Sequence, residues 1–169
     1  MDFEVVDLPP ADYPDAGETA PDFTRPLVND EFWEDTSLGD LLAAGPVLLV
    51  FTPMDGAFPA TYVWQELTDR EFDGVQVVGV SISTPYEHAD TIRDRGLDEC
   101  GYRLFSDPAN GVAERYGIVN DLDGMTGVTE PRPAVFLVDA DRTVEYAWVA
   151  EEWPAFPDYD ALEAAVDAL

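Results

Sequence analysis

Lysine is missing altogether from the 169 residues, and the eight basic residues are all arginines set against 36 aspartates and glutamates, which gives a formal net charge of −28. That balance excludes nucleic acid as a partner, because phosphate binding draws its affinity mainly from lysine and arginine neutralising the backbone. Cysteine is nearly missing too. A single Cys100 can form neither an internal disulfide nor a CxxC pair, and with His88 as the one histidine it cannot complete a zinc site. No cofactor or metal is expected, and any redox chemistry has to be intermolecular. No apolar run approaches the roughly 18 to 20 residues of a membrane span, and the opening MDFEVVDLPP lacks the basic and apolar regions of a secretory signal. A cytoplasmic protein with no membrane partner is the expectation.

What is present is a core. Hydrophobic residues make up 46% of the chain and aromatics 12%, enough for one folded domain rather than a disordered acidic tail. The acidic residues run from Asp2 to Asp167 without forming a block. Such an even coat of short, strongly hydrated carboxylates is the composition of a protein from a halophile, where concentrated salt screens the repulsion.

Four prolines, Pro9, Pro10, Pro14 and Pro21, fall in or just beyond residues 1–16, which read as an extended arm whose Phe3, Val5, Val6 and Leu8 suit an edge strand. Residues 17–169 read as the folded domain. Val47–Phe51 and Val75–Ile82 are apolar runs of the kind buried on both sheet faces, and the stretch from Ala60 to Phe72 between them has helical spacing. The order strand, helix, strand predicts a parallel pair. A polar helix opened by Thr84-Pro85 leads to a third strand at Tyr102–Phe105; a short helix spans 110–116; strands at 134–139 and 143–148 form a hairpin; and 158–169 is a closing amphipathic helix.

This order is that of the thioredoxin-like fold, an α/β architecture with a central mixed sheet and flanking helices, and the segments resemble the AhpC/TSA family of peroxiredoxins. The matching stretches are Gly17-Glu18-Thr19-Ala20-Pro21-Asp22-Phe23, Ser37 to Leu41, Phe105-Ser106-Asp107-Pro108, Ala113 to Gly117, and Arg132 before the strand that starts at Ala134. After the first core strand the family carries P-x-x-x-T-x-x-C-T. This chain reads Pro53-Met54-Asp55-Gly56-Ala57-Phe58-Pro59-Ala60-Thr61. Pro53 and Thr61 match, while Ala57 takes the threonine position and Ala60 the position of the peroxidatic cysteine, whose thiolate attacks peroxide to give a sulfenic acid. The resemblance therefore implies a degenerate site made of Pro53, Ala57, Ala60, Thr61 and Arg132, with Arg132 as the family's active-site arginine or, failing that, an ion-pair partner of a carboxylate such as Asp55.

Cys100 precedes its strand whereas Pro53–Thr61 follows its own, so parallel strands put them at opposite sheet ends, roughly 17 to 20 Å apart. Its neighbours Asp98 and Glu99 disfavour a thiolate. His88 is expected at the surface of its polar helix; Trp148, Trp153, Phe156 and Tyr159 as core and flap aromatics; and Asp121, Asp123, Asp139 and Asp141 as solvated surface. Two functions are open: a binding or regulatory protein without thiol peroxidase activity, its partner an unknown small molecule or protein at the degenerate site, or an antioxidant oxidoreductase working through Cys100 or a partner thiol. Relatives of this kind are often dimers, so the resemblance also implies a homodimer.

The charge generates a direct expectation. Thermal melts followed by circular dichroism from low salt to about 3 M KCl should rise as repulsion is screened. A melting temperature that is flat or falls with KCl removes the halophile reading.

Overall fold

The computed structural model describes residues 4–70, 72–121 and 125–169; Phe3 and Asp123, named above, lie outside these. Strand β1 is Val6–Asp7, β2 Thr24–Val28 and β3 Trp33–Ser37, followed by the short helix α1 at Leu38–Leu42. The central units are β4 at Val47–Phe51, α2 at Phe58–Arg70, β5 at Gln76–Ser81, α3 at Pro85–Arg95 and β6 at Arg103–Ser106. Then come α4 at Gly111–Arg115, β7 at Val119–Asn120, β8 at Glu130–Pro131, β9 at Ala134–Val138, β10 at Val144–Val149, β11 at Glu152–Trp153 and α5 at Tyr159–Asp167.

Seven strands form one mixed sheet in the order β10-β9-β4-β5-β6-β2-β3, with β4, β5 and β6 parallel and the remaining pairings antiparallel. Helices flank this sheet in the thioredoxin-like manner expected. Every residue of β4 is buried, and successive side chains serve opposite faces: Val47, Leu49 and Phe51 join one apolar cluster, Leu48 and Val50 the other. Strand periodicity of two, with both faces covered, turns a continuous apolar run into two cores. Gly79 in β5 makes room for the Trp64 side chain of α2, since a Cβ there would overlap Trp64 and Leu104. Helix α3 begins as expected from Thr84, whose hydroxyl accepts from the Glu87 N–H, and ends at Gly96 in the left-handed region with φ 67°.

Three features differ from the sequence reading. β2 and β3 were hidden because Pro26 interrupts the pattern of β2; the pairing of β2 with β6 covers only Leu27↔Phe105 and Val28↔Leu104, so Pro26 needs no N–H on that side. Within the Gly- and Asp-rich stretch after Gly117, β7 and β8 pair antiparallel. The arm pairs with β11 rather than with the main sheet, through Val6↔Trp153 and the Leu8 N–H donated to Glu151 O at 2.9 Å. Pro9 and Pro10 supply no N–H with which to extend the pairing. Beyond them Tyr13 sets its ring edge-on to Phe136, and the Asp12 carbonyl lies against Gly117, where any Cβ would collide. Among the described residues no helix is long and apolar enough to cross a membrane.

The β9–β10 hairpin brings Asp139 and Glu145 into hydrogen-bond contact, with the Asp141 and Thr143 N–H groups also donating to Asp139. Sharing a proton with Asp139 raises the pKa of Glu145, and the donors around Asp139 lower its own. The group with the raised value favours the fold while protonated and loses that contribution as pH climbs through its folded pKa, leaving two facing carboxylates at neutrality. Glu145→Gln should therefore raise the melting temperature at neutral pH, with the gain shrinking toward about pH 4, where glutamate itself carries the proton. An equal gain at both pH values would show that the pair does not titrate as a unit.

Candidate active site

Register assembles the site. Because β9 runs antiparallel to β4 with Phe51 opposite Ala134, the residues leaving β4 and those entering β9 emerge at the same end of the sheet, which places Pro53 and Arg132 at that end. The loop between β4 and α2 is tied from several directions. The Met54 N–H donates to the Glu130 carboxylate at 3.0 Å, the Asp55 N–H to the Ser83 hydroxyl at 2.9 Å, and the Ala57 N–H to the Met54 carbonyl at 2.9 Å.

The strongest tie involves a residue that the sequence reading placed at the surface. His88 is 1% exposed. Its Nδ1 lies 2.7 Å from Asp55 Oδ2 and its Nε2 2.9 Å from the Phe105 carbonyl, while the Thr91 hydroxyl donates to the same Asp55 oxygen at 2.9 Å. A carbonyl only accepts, so Nε2 carries a hydrogen, and the contact between Nδ1 and Oδ2 holds a second one. The cue was in the sequence: Ala89 and Ile92 mark the buried face of α3, and His88, four residues before Ile92, shares it. The polar residues around His88 masked that spacing. Asp55 is thereby committed to His88 rather than to Arg132.

Ala60 stands in the first turn of α2, 1% exposed, in the same apolar cluster as Val63 and Trp64. Ala57 precedes the helix and accepts from the Thr61 N–H, and the Thr61 hydroxyl accepts from Arg95 at 2.8 Å. Arg132 is buried, and its Nη1 donates to the carbonyls of Pro9 at 3.0 Å and Ala150 at 3.2 Å. Two clefts open nearby. One, of ≈ 520 Å³, is an acidic groove lined by Asp55, Glu87, Asp90, Thr91, Asp94 and Arg95, with Gly56. The other, of ≈ 1000 Å³, lies between the arm and β10, and Arg132 lines it. Pro53, Ala57, Ala60 and Thr61 line neither.

Cys100 closes a 3₁₀ turn ahead of β6, half-buried against the cluster that holds Trp64 and Leu97, at the sheet end opposite Pro53. Trp148 and Tyr159 pack on that same cluster, while Trp153 meets Phe58 and Phe156 meets Tyr62 over the start of α2. Among the described residues no group of three or more His, Cys, Asp or Glu is placed to hold a metal.

His88→Ala should leave the buried Asp55 carboxyl without its imidazole partner. A loss of about 1 to 3 kcal/mol is expected, as for a buried hydrogen-bonding group left short of a partner. Hydrogen exchange should show the Met54, Asp55 and Ala57 amides losing protection. A loss below about 1 kcal/mol, the range of exposed pairs, would mean that the contact does not hold the loop.

The sequence profile of the AhpC/TSA family matches residues 16–147. Across 141 residues the chain is 31% identical to the chloroplastic 2-cysteine peroxiredoxin of Chattonella marina var. antiqua, an overlap of 79% of this chain and 69% of that protein. It is 26% identical to the chloroplastic 2-Cys peroxiredoxin BAS1 of Spinacia oleracea over 82% of this chain, but spans only 53% of that relative's length. Among solved structures, peroxidoxin BcpB from Mycobacterium tuberculosis superposes with a TM-score of 0.73 at 26% identity, covering 93% of this chain and 99% of that one.

Proposed function

Because this chain belongs to the AhpC/TSA family, we propose that it is a thioredoxin-like binding or regulatory protein that has given up thiol peroxidase chemistry. The observation that carries this reading is Ala60, an apolar methyl packed into the first turn of α2 at the position where the family motif has its thiol. Among the described residues of this site none offers a substitute nucleophile. Ala57 lacks the hydroxyl of the family's threonine, Thr61 is held by Arg95, and the His88 nitrogens are both engaged away from solvent. The partner is a small molecule or a protein at this end of the sheet; the net charge of −28 argues against nucleic acid. The homodimer belongs to the same proposal, and the exposed Tyr62 and Phe156 beside Phe58 and Trp153 offer apolar surface for it.

The alternative, an antioxidant oxidoreductase acting through Cys100 or a partner thiol, draws on relatives named for two cysteines where this chain has one. The position of Cys100 at the far sheet end, next to Asp98 and Glu99, speaks against it. Peroxide consumption by the protein in concentrated KCl with dithiothreitol as reductant separates the two. The expected rate is that of dithiothreitol alone, unchanged by Cys100→Ser. A fast reaction abolished by Cys100→Ser would establish the oxidoreductase instead.

A further inference from the structure

Arg132 is an electrostatic anomaly. The chain has 36 carboxylates for eight arginines; Arg25, Arg70, Arg93 and Arg142 each have a carboxylate within 4 Å, and Arg95, Arg103 and Arg115, which have none among the described residues, are at least partly open to solvent. Arg132 is 5% exposed and, among the described residues, has none. Two carbonyls occupy its Nη1, and its Nε is buried with no hydrogen-bond partner. A buried guanidinium without a counter-charge is costly, and an anion bound beside it relieves that cost. Burial also lowers its pKa, although arginine stays charged at neutral pH. With Nη1 taken by the two carbonyls and Nε shut off from solvent, Nη2 is the donor that, among the described residues, is left to meet a carboxylate.

The cleft over this residue is large enough for a small molecule, and its parts differ in polarity. Arg132 is at the buried floor. Tyr13, Trp148 and Phe156 supply aromatic walls, and exposed Asp7, Glu151 and Glu152 ring the mouth. A simple anion would be drawn to the floor and repelled at the rim. A molecule with a carboxylate at one end, an apolar middle and an ammonium at the other meets all three zones with matching chemistry.

We propose that the cleft between the N-terminal arm and β10 binds a small amphoteric carboxylate, whose carboxylate pairs with Arg132 and whose ammonium faces Asp7, Glu151 and Glu152. The proposal rests on the reading of this chain as a binding protein, and it moves the ligand away from Pro53, Ala57, Ala60 and Thr61. The arm is part of the site, because the Pro9 carbonyl that holds Arg132 belongs to it.

Isothermal titration calorimetry tests this with three probes: 6-aminohexanoate, hexanoate and hexylamine. 6-Aminohexanoate should bind, hexanoate more weakly by roughly fivefold because the rim repels it, and hexylamine not measurably. Arg132→Gln should weaken 6-aminohexanoate by about 10- to 100-fold, the range for a lost charged hydrogen-bond pair. Should that variant fail to fold, Glu151→Gln with Glu152→Gln alters only exposed side chains and should erase the preference for 6-aminohexanoate over hexanoate. Binding of none of the three, hexylamine binding as well as 6-aminohexanoate, or a preference that survives the rim variant overturns the proposal. Peroxide consumption measured on the same sample keeps the two readings apart: rapid turnover removes the loss of peroxidase chemistry and leaves the cleft standing, and absent binding does the reverse.

Discussion

The antiparallel pairing of β9 on β4 is the constraint from which the rest of the site follows. With Phe51 opposite Ala134, the chain leaving β4 and the chain entering β9 must share one end of the sheet, whatever their loops do. A slip of one residue would turn every side chain of β9 to the other face and exchange the two apolar clusters, so the register is held by the burial of five consecutive residues on each strand. The loop carrying Asp55 is then fastened sideways, to α3 through His88 and Thr91, to Ser83 after β5, and to β8 through Glu130.

Electrostatics divides the molecule into two regimes. Over the surface, acidic side chains dominate and Arg25, Arg70, Arg93 and Arg142 are held in ion pairs, Arg70 gathering Glu66, Asp160 and Glu163. At the end of the sheet the pattern inverts: one buried pair, Asp55 with His88, closes on itself, and one buried cation, Arg132, is satisfied only by peptide carbonyls. The field of the whole chain opposes any anion approaching from solution, so positive charge elsewhere on a ligand for Arg132 strengthens its binding.

The fold was legible wherever burial on two faces or helical spacing left a simple pattern, as in β4, β5, α2 and the β9–β10 hairpin. It was illegible where polar or proline residues occupy ordered positions. β2 carries Pro26, and β3 is largely exposed, so neither alternates cleanly. His88 was misplaced because the charged residues around it outweighed a single i to i+4 relation to Ile92, and because the acceptor that stabilises it, Asp55, is 33 residues away in sequence. Likewise the motif indicated Arg132 as a site residue, but its partners, the carbonyls of Pro9 and Ala150, carry no side-chain signature.

The pairing of residues 6 and 7 with 153 and 152 joins segments almost a whole chain length apart. Closing so long a loop costs more entropy than any other strand pairing in the molecule, and it is repaid by only two residue pairs and the packing of the arm. Loop-closure entropy has to be met before contacts of such separation reward it. Because its two sides come from opposite ends of the chain, the cleft above Arg132 exists only once the sheet between them has brought those ends together.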